Sequence, residues 1–186
     1  AAKTQVPSRN DFKTEAHNTR SEVKAINTLK QNIKRKTGTA EEPDLLSRLS
    51  DLYLKQARSS RFCELTGKGE LKKSLELLQQ IQVRFPHFRE MDQVLFCKAK
   101  AHQQLKQVEL AKQSYEEIVK KFPNSEFISD VRLDLGDLFY SQQNFSQALV
   151  QFKEIEKYPE SKAYPYGLYK SAWCHYNLKN SQAAIE

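Results

Sequence analysis

The sequence contains little glycine and little proline, 5 Gly and 6 Pro among 186 residues. A many-stranded sheet needs frequent tight turns, which these two residue types supply, so their scarcity favours long helices. No continuous apolar run approaches the roughly 20 residues that a membrane-spanning helix needs. The first residues, Ala1 to Thr4, are not part of a signal peptide pattern. We therefore expect no membrane span, and a processed exported protein and a cytoplasmic one are both compatible with this start.

Cysteine is scarce as well, and Cys63, Cys97 and Cys174 are scattered without a CxxC pair. An odd, dispersed set predicts neither a disulfide framework nor a metal site. The glycine-containing stretch 66–69 lacks the spacing of a phosphate-binding loop, so we interpret residues 59–68 as a flexible connector. Because no catalytic, metal-ligating or cofactor-binding arrangement can be built, we predict no metal, no cofactor and no enzyme activity.

The net charge of +7 is concentrated at the start of the chain. Residues 1–40 hold nine Lys and Arg against three acidic residues, whereas residues 41–186 hold 21 against 20. No aromatic residues are interleaved with the basic ones, so nucleic acid is not the expected partner. The cations near residue 36 instead fit the C-terminal end of a helix, where the macrodipole favours positive charge.

Three aromatic-proline pairs recur along the chain, Phe85-Pro86, Phe122-Pro123 and Tyr158-Pro159, at spacings of 37 and 36 residues. Proline cannot continue a helix, so each pair predicts a break between helical repeats. A small residue followed four later by a large one precedes every pair. These are Ser74 and Leu78, Ala111 and Tyr115, and Ala148 and Phe152. The repeats predict helices at about 44–60, 69–84, 89–105, 108–121, 126–142, 145–157 and 162–178, and another from 181.

This pattern resembles the tetratricopeptide repeat (TPR) family, which has a small residue and an aromatic on the first helix, then A-x3-F and a terminal proline. Gly136, Phe139, Ala148, Phe152 and Pro159 supply the best copy. The resemblance implies an all-α fold, a right-handed superhelix of antiparallel helix pairs preceded by a long N-terminal helix. It assigns residues 41–186 to about three and a half repeats, with the last repeat cut short, and residues 1–40 to the leading basic helix.

The leading helix is predicted from about Arg9 to Lys36, with Gly38 ending it. Residues along it at alternating spacings of four and three form a thin, partly apolar stripe: Phe12, Ala16, Thr19, Val23, Ile26, Lys30 and Ile33. Such a helix can pack on the first repeat as a cap, because an end repeat must cover its apolar face. A short coiled coil that makes the chain self-associate is the alternative. We favour the cap.

In TPR proteins the first helix of each repeat lines a concave groove, and the resemblance places candidate partner-binding residues there. They are Phe96, Lys100, Asp137, Tyr140, Tyr166, Tyr169, Trp173 and Tyr176. The last four have spacings of three, four and three, which puts four aromatic rings on one helix face. We expect Leu168, Ala172, His175 and Leu178 to pack the other side of that helix. The rings either contact a partner or pack on a following part of the array.

The resemblance implies a non-catalytic scaffold that binds a protein or peptide partner in the groove. A structural spacer that oligomerises through the leading helix is the alternative. The phrases Phe122 to Ser125, Leu135 to Tyr140 and Tyr169 to Leu178 are similar to those of bacterial envelope TPR proteins. We therefore expect a periplasmic or outer-membrane-associated protein, with a cytoplasmic one as the alternative.

Overall fold

The computed structural model describes residues 9–59 and 64–179, and this part of the chain contains helices and turns but no strand. The helices are α1 (Arg9–Lys36), α2 (Glu42–Ser59), α3 (Glu64–Arg84), α4 (Met91–Gln104), α5 (Val108–Lys121), α6 (Ile128–Ser141), α7 (Phe145–Ile155) and α8 (Tyr164–Asn177). The chain divides into two compact units within α3, after Ile81. We call residues 1–81 unit 1 and residues 82–186 unit 2.

The junction of α1 and α2 in unit 1 is built around Gly38. This residue has φ +81°, a conformation that glycine adopts without strain. Its N–H donates a 2.7 Å hydrogen bond to Oε2 of the buried Glu42 in the first turn of α2. This turn follows the end of α1 at Lys36, as the sequence predicts, and the hydrogen bond ties it to the start of α2.

A small apolar cluster holds the three helices of unit 1 together. Ile26 of α1 packs with Leu49 and Tyr53 of α2, and four half-buried residues surround them: Leu29, Ile33, Leu52 and Leu77. The buried hydroxyls of Ser50 and Ser74 lie 2.8 Å apart and link α2 to α3. Ile26 and Ile33 of the predicted stripe thus pack in this cluster, whereas Val23 and Lys30 are exposed. For its first members, Phe12, Ala16 and Thr19, the side chains lie outside the described part.

The prediction of a flexible connector over residues 59–68 is wrong in its second half. Helix α3 begins at Glu64, so Thr66, Gly67 and Gly69 lie within it. Gly67 is buried, and a Cβ there would lie 3.3 Å from the backbone oxygen of Ala57. Gly67 therefore allows two helices to approach closely. The sequence alone does not distinguish such a glycine from one in a loop. Residues 60–63, including Cys63, lie outside the described residues.

Unit 2 repeats the same helix pair in phase with the sequence. The first helices α4, α6 and α8 begin at residues 91, 128 and 164, and the second helices α5 and α7 begin at 108 and 145. Left-handed residues recur in the turns after the first helices, at Lys106, Gln143 and Lys179, with φ of 59–60°. The aromatic-proline pairs fall between α3 and α4, α5 and α6, and α7 and α8. The predicted helix from residue 181 lies outside the described part.

The small and large residues that define the repeat are all buried. Ser74, Leu78, Ala111, Tyr115, Ala148 and Phe152 are each at most 1% exposed. At Gly136 of α6, an added Cβ would lie 2.7 Å from Cδ1 and 2.8 Å from Cζ of Phe152. The Phe152 ring of α7 therefore occupies the space that the side chain of any other amino acid at position 136 would need.

The packed face of α8 differs from the predicted one. Its buried residues are Gly167, Ser171 and Cys174, and a Cβ on Gly167 would lie 3.1 Å from the Ile155 side chain of α7. Leu168 and Leu178, which were expected to be covered, are both exposed. Small residues allow α8 to approach α7 closely. The buried face of α8 is therefore the one with small residues, and the positions of its apolar residues do not predict it.

Candidate functional site

The predicted site residues lie on the three first helices of unit 2. Phe96 and Lys100 are on α4, Asp137 and Tyr140 on α6, and the remaining four on α8. We refer to these eight residues together as the candidate face: Phe96, Lys100, Asp137, Tyr140, Tyr166, Tyr169, Trp173 and Tyr176. Side-chain contacts between these helices show how far the face is continuous.

The α4 end of the face is tied to α6 by a half-buried ion pair. Lys100 Nζ lies 2.6 Å from Asp134 Oδ2 and 5.4 Å from the centroid of the Phe96 ring. Phe96 stacks on Phe127, with centroids 5.0 Å apart and an angle of 13° between the planes. The hydroxyl of Tyr115 donates to Asp134 Oδ2 at 3.1 Å. Lys100 is therefore an ion-paired residue and not a free cation.

The α6 and α8 parts of the face are joined in the same way. Lys170 Nζ lies 3.0 Å from Asp137 Oδ1 and 5.5 Å from the centroid of the Tyr140 ring. Asn177 Nδ2 donates to the Tyr140 hydroxyl at 3.2 Å and to the Trp173 carbonyl oxygen at 2.7 Å. The side chains of α6 thus position the α8 end of the face.

The two ion pairs occupy equivalent places in successive repeats. Lys100 and Asp137 are 37 residues apart, and their partners Asp134 and Lys170 are 36 apart. Each pair joins the first helix of one repeat to the first helix of the next. The lysine is on the earlier helix in the first pair and on the later helix in the second. Sequence analysis missed Asp134 and Lys170, although each lies three residues before a mapped position and so on the same helix face.

Four aromatic side chains of α8 are open to solvent. Tyr166, Tyr169, Trp173 and Tyr176 are 60%, 59%, 43% and 66% exposed. Tyr169 meets Trp173 edge to face at 6.2 Å between centroids, and Trp173 meets Tyr176 at 5.8 Å. Such edge-to-face contacts are favourable and hold the rings in one row. The spacing of three and four residues predicted this arrangement.

Burial changes the acid-base properties of three groups in unit 2. Burial raises the pKa of Asp134 above its ordinary value, although Lys100 and the Tyr115 hydroxyl act in the opposite direction. Burial and the Asp134 charge also raise the pKa of Tyr115. In α8, burial raises the pKa of the Cys174 thiol to about 11, so this cysteine is a protonated core residue and not a nucleophile.

The raised pKa of Asp134 predicts how stability depends on pH. A carboxyl whose pKa is higher in the folded state stabilises the fold when protonated, and that contribution is lost as pH rises through the folded pKa. Replacement Asp134→Asn removes this titration, while Lys100 remains charged throughout. The wild type's free energy of unfolding, relative to the variant's, should therefore fall between pH 3.5 and pH 7, as measured by urea unfolding. A difference that grows with pH would show that the ion pair with Lys100 outweighs burial.

Solved structures share this fold at low sequence identity. MamA aligns over 97% of this chain and 91% of its own, with a TM-score of 0.69 and 12% identity. BtubC (BKLC) from P. vanneervenii aligns over 89% and 69%, with a TM-score of 0.64 and 18% identity. TPR-like repeats described for a Podospora anserina kinesin light chain align over 97% and 92%, with a TM-score of 0.60 and 14% identity. The described part of the chain therefore has the all-helical fold of TPR-like repeat proteins.

A match to a sequence family identifies the chain more specifically than its fold does. The family model YfiO, described as an outer membrane lipoprotein, matches residues 89–184, just over half of the chain. The chain therefore belongs to the YfiO family of outer membrane lipoproteins. This confirms the predicted resemblance to TPR proteins of the bacterial envelope. A family and fold of this kind are typically non-catalytic.

The remaining findings concern curated sequences and membrane spans. No curated protein matches it significantly in sequence. Within residues 9–59 and 64–179, none of the helices has the length and apolar character that crossing a bilayer demands.

Proposed function

We propose that unit 2 binds a protein or peptide partner on the candidate face. The observation that carries the proposal is the row of exposed rings on α8, a helix that Asn177 and Lys170 connect to Tyr140 and Asp137 of α6. Tyr and Trp dominate binding sites because they provide a large contact area at a low entropic cost and retain a polar tip. Contiguous exposed aromatic surface on a soluble protein is commonly functional.

The two ion pairs of the candidate face support binding by ordering it in advance. Lys170 holds both Asp137 and the Tyr140 ring, and Lys100 holds both Asp134 and the Phe96 ring. Side chains that are already ordered lose less entropy when a partner binds, so more of the contact energy becomes affinity. The face therefore offers a fixed aromatic surface with paired charges beside it, which suits a partner of mixed apolar and polar character.

For unit 1 we propose the cap in place of self-association. Ile26 of α1 already packs with Leu49 and Tyr53, so this part of the stripe is not available to a second copy. On this proposal the basic helix of residues 1–40 caps the apolar face of the first repeat, and residues 41–186 form the repeat array. We further propose a periplasmic or outer-membrane-associated location, supported by the description of the matching family.

The test compares how much partner protein co-purifies with the wild type and with a double alanine variant. The tagged protein is purified from the envelope fraction of its own organism, and co-purified proteins are quantified by mass spectrometry. Replacing Tyr169 and Trp173 with alanine removes the central pair of rings, and we expect recovery of the specific partner to fall at least about tenfold. The substituted residues are exposed, so the helices should remain folded by circular dichroism.

A matched double variant on α7 serves as the control. Val150→Ala combined with Lys153→Ala also removes two exposed side chains of unit 2, but neither belongs to the candidate face. Recovery should be unchanged. Equal recovery by the aromatic variant and the wild type would refute the proposal and leave the rings as a packing surface for further chain.

A further inference from the structure

A cavity lies in unit 1, formed by residues well away in sequence from the candidate face. It has a volume of about 500 Å³ and is formed by α1, α2 and α3. Its apolar lining consists of Ile33, Leu46, Leu49, Tyr53 and Leu77. Cavities of this size with a mainly apolar lining are typical of small-molecule sites.

Positive charge surrounds this apolar lining. Lys30, Lys34 and Lys73 line the cavity, against Glu76 as the one acidic residue lining it. Lys30 Nζ lies 5.8 Å and Lys73 Nζ 5.5 Å from the centroid of the Tyr53 ring, so two ammonium groups are held at the same ring. These lysines extend apolar stems along the cavity and carry their charges at the ends.

The charge surplus rests mainly on α1. Lys73 Nζ is already paired with Glu70 Oε1 at 3.0 Å. Neither Lys30 nor Lys34 has an ion-pair partner within the described part of the chain. Both are exposed at the edge of the cavity. An anionic group placed there would gain two unpaired cations, whereas a cation would meet repulsion.

We propose that this cavity binds a single-chain amphiphilic anion, an acyl chain that ends in a carboxylate or a phosphate. The chain would lie against Leu46, Leu49 and Leu77, where each buried methylene group adds to the affinity. The headgroup would lie between Lys30 and Lys34, with Lys73 at the Tyr53 ring beside them. The site is separate from the candidate face, so neither proposal depends on the other.

The ligand class is tested by calorimetric titration of the full chain, below the micelle concentration of each probe. Dodecanoate and dodecyl phosphate should each bind with one-to-one stoichiometry, and the pair shows which headgroup is preferred. Uncharged monododecanoylglycerol should bind at least tenfold more weakly, and inorganic phosphate should give no signal. Equal affinity for the uncharged probe would overturn the proposal, because the lysines would then have no role. Binding of inorganic phosphate alone would overturn it too, because the apolar lining would have none.

The location is tested with variants that change the affinity in opposite directions. Lys30→Met combined with Lys34→Met should weaken dodecanoate binding at least tenfold, whereas Glu76→Gln should strengthen it about threefold. Leu77→Trp should block the cavity and abolish binding. Lys72→Met, an exposed neighbour that does not line the cavity, should have no effect. The proposal fails if Lys72→Met weakens binding as much as the α1 pair, or if Glu76→Gln weakens binding.

Discussion

Replacing Phe152 with alanine is expected to lower the free energy of unfolding of unit 2 by about 3–5 kcal/mol. The ring is fully buried in a cluster with Ala148, Ile155, Ala163 and Cys174. It also fills the space above Gly136 on α6. Its removal would leave a cavity between the helices of one pair and at the start of α8. Urea unfolding followed by circular dichroism at 222 nm measures the loss.

The control for this prediction is on the same helix. Val150 is exposed on α7, so Val150→Ala should change the free energy of unfolding by no more than about 0.5 kcal/mol. Similar losses for the two variants would mean that Phe152 does not occupy the centre of the repeat, and the assigned repeat phase would then be wrong.

Adding one methyl group at Gly136 should also destabilise the protein. The new Cβ of Gly136→Ala would lie within 3 Å of the Phe152 ring atoms Cδ1 and Cζ. Overpacking of a buried site costs about 1–3 kcal/mol, which offsets the gain of about 1 kcal/mol that alanine offers over glycine in a helix. We expect a net loss of stability in urea unfolding. Combining Gly136→Ala with Phe152→Leu should lose less than the sum of the two single changes, because the residues are in contact.

Gly69 is the matched glycine for this comparison. It lies inside α3, and apart from its own stretch of helix backbone nothing lies within 4 Å of the position that its Cβ would occupy. Gly69→Ala should therefore stabilise the protein by about 0.5–1 kcal/mol through helix propensity alone. A loss of stability in Gly69→Ala would contradict the helical assignment of this segment, and a gain in Gly136→Ala would contradict the close contact with Phe152.

The fold could be predicted because the repeat places strong local signals at fixed spacing. Proline interrupts a helix wherever it occurs in the interior, so the pairs at Pro86, Pro123 and Pro159 located the breaks between repeats. Ala148 and Phe152 are buried at the positions that the spacing assigned to them. Proline breaks and regular spacing are local properties of the chain, so the sequence is sufficient to predict them.

Two structural features were not predictable because they depend on how closely helices approach. Gly67 lies against the backbone of Ala57, and Gly167 lies against Ile155. Glycine in a helix pattern has the same local preference whether it permits a close contact or starts a loop. For this reason the sequence predicts a start of α3 near residue 69, although the helix begins at Glu64. For the same reason it predicts that Leu168 is covered, although this residue is exposed.

The candidate site was predicted in outline and not in its electrostatics. Helical spacing was sufficient to put Tyr169, Trp173 and Tyr176 in one row. The pairing of Lys100 with Asp134, 34 residues later, joins two different repeats. Only coordinates show that contact, because many other carboxylates lie at comparable sequence distances. Burial of Asp134, which raises its pKa, is likewise a property of the packed repeats.

Site-specific photo-crosslinking tests partner binding on the candidate face most directly. A benzophenone amino acid is introduced at position 169, at position 176 or, as the control, at the exposed Val150 of α7. The cells of origin are irradiated, and adducts are identified by mass spectrometry. We predict that positions 169 and 176 yield an adduct with the same partner protein and that position 150 yields none. Equal adducts from position 150, or no adduct from 169 and 176, would contradict the proposal that this face binds a partner.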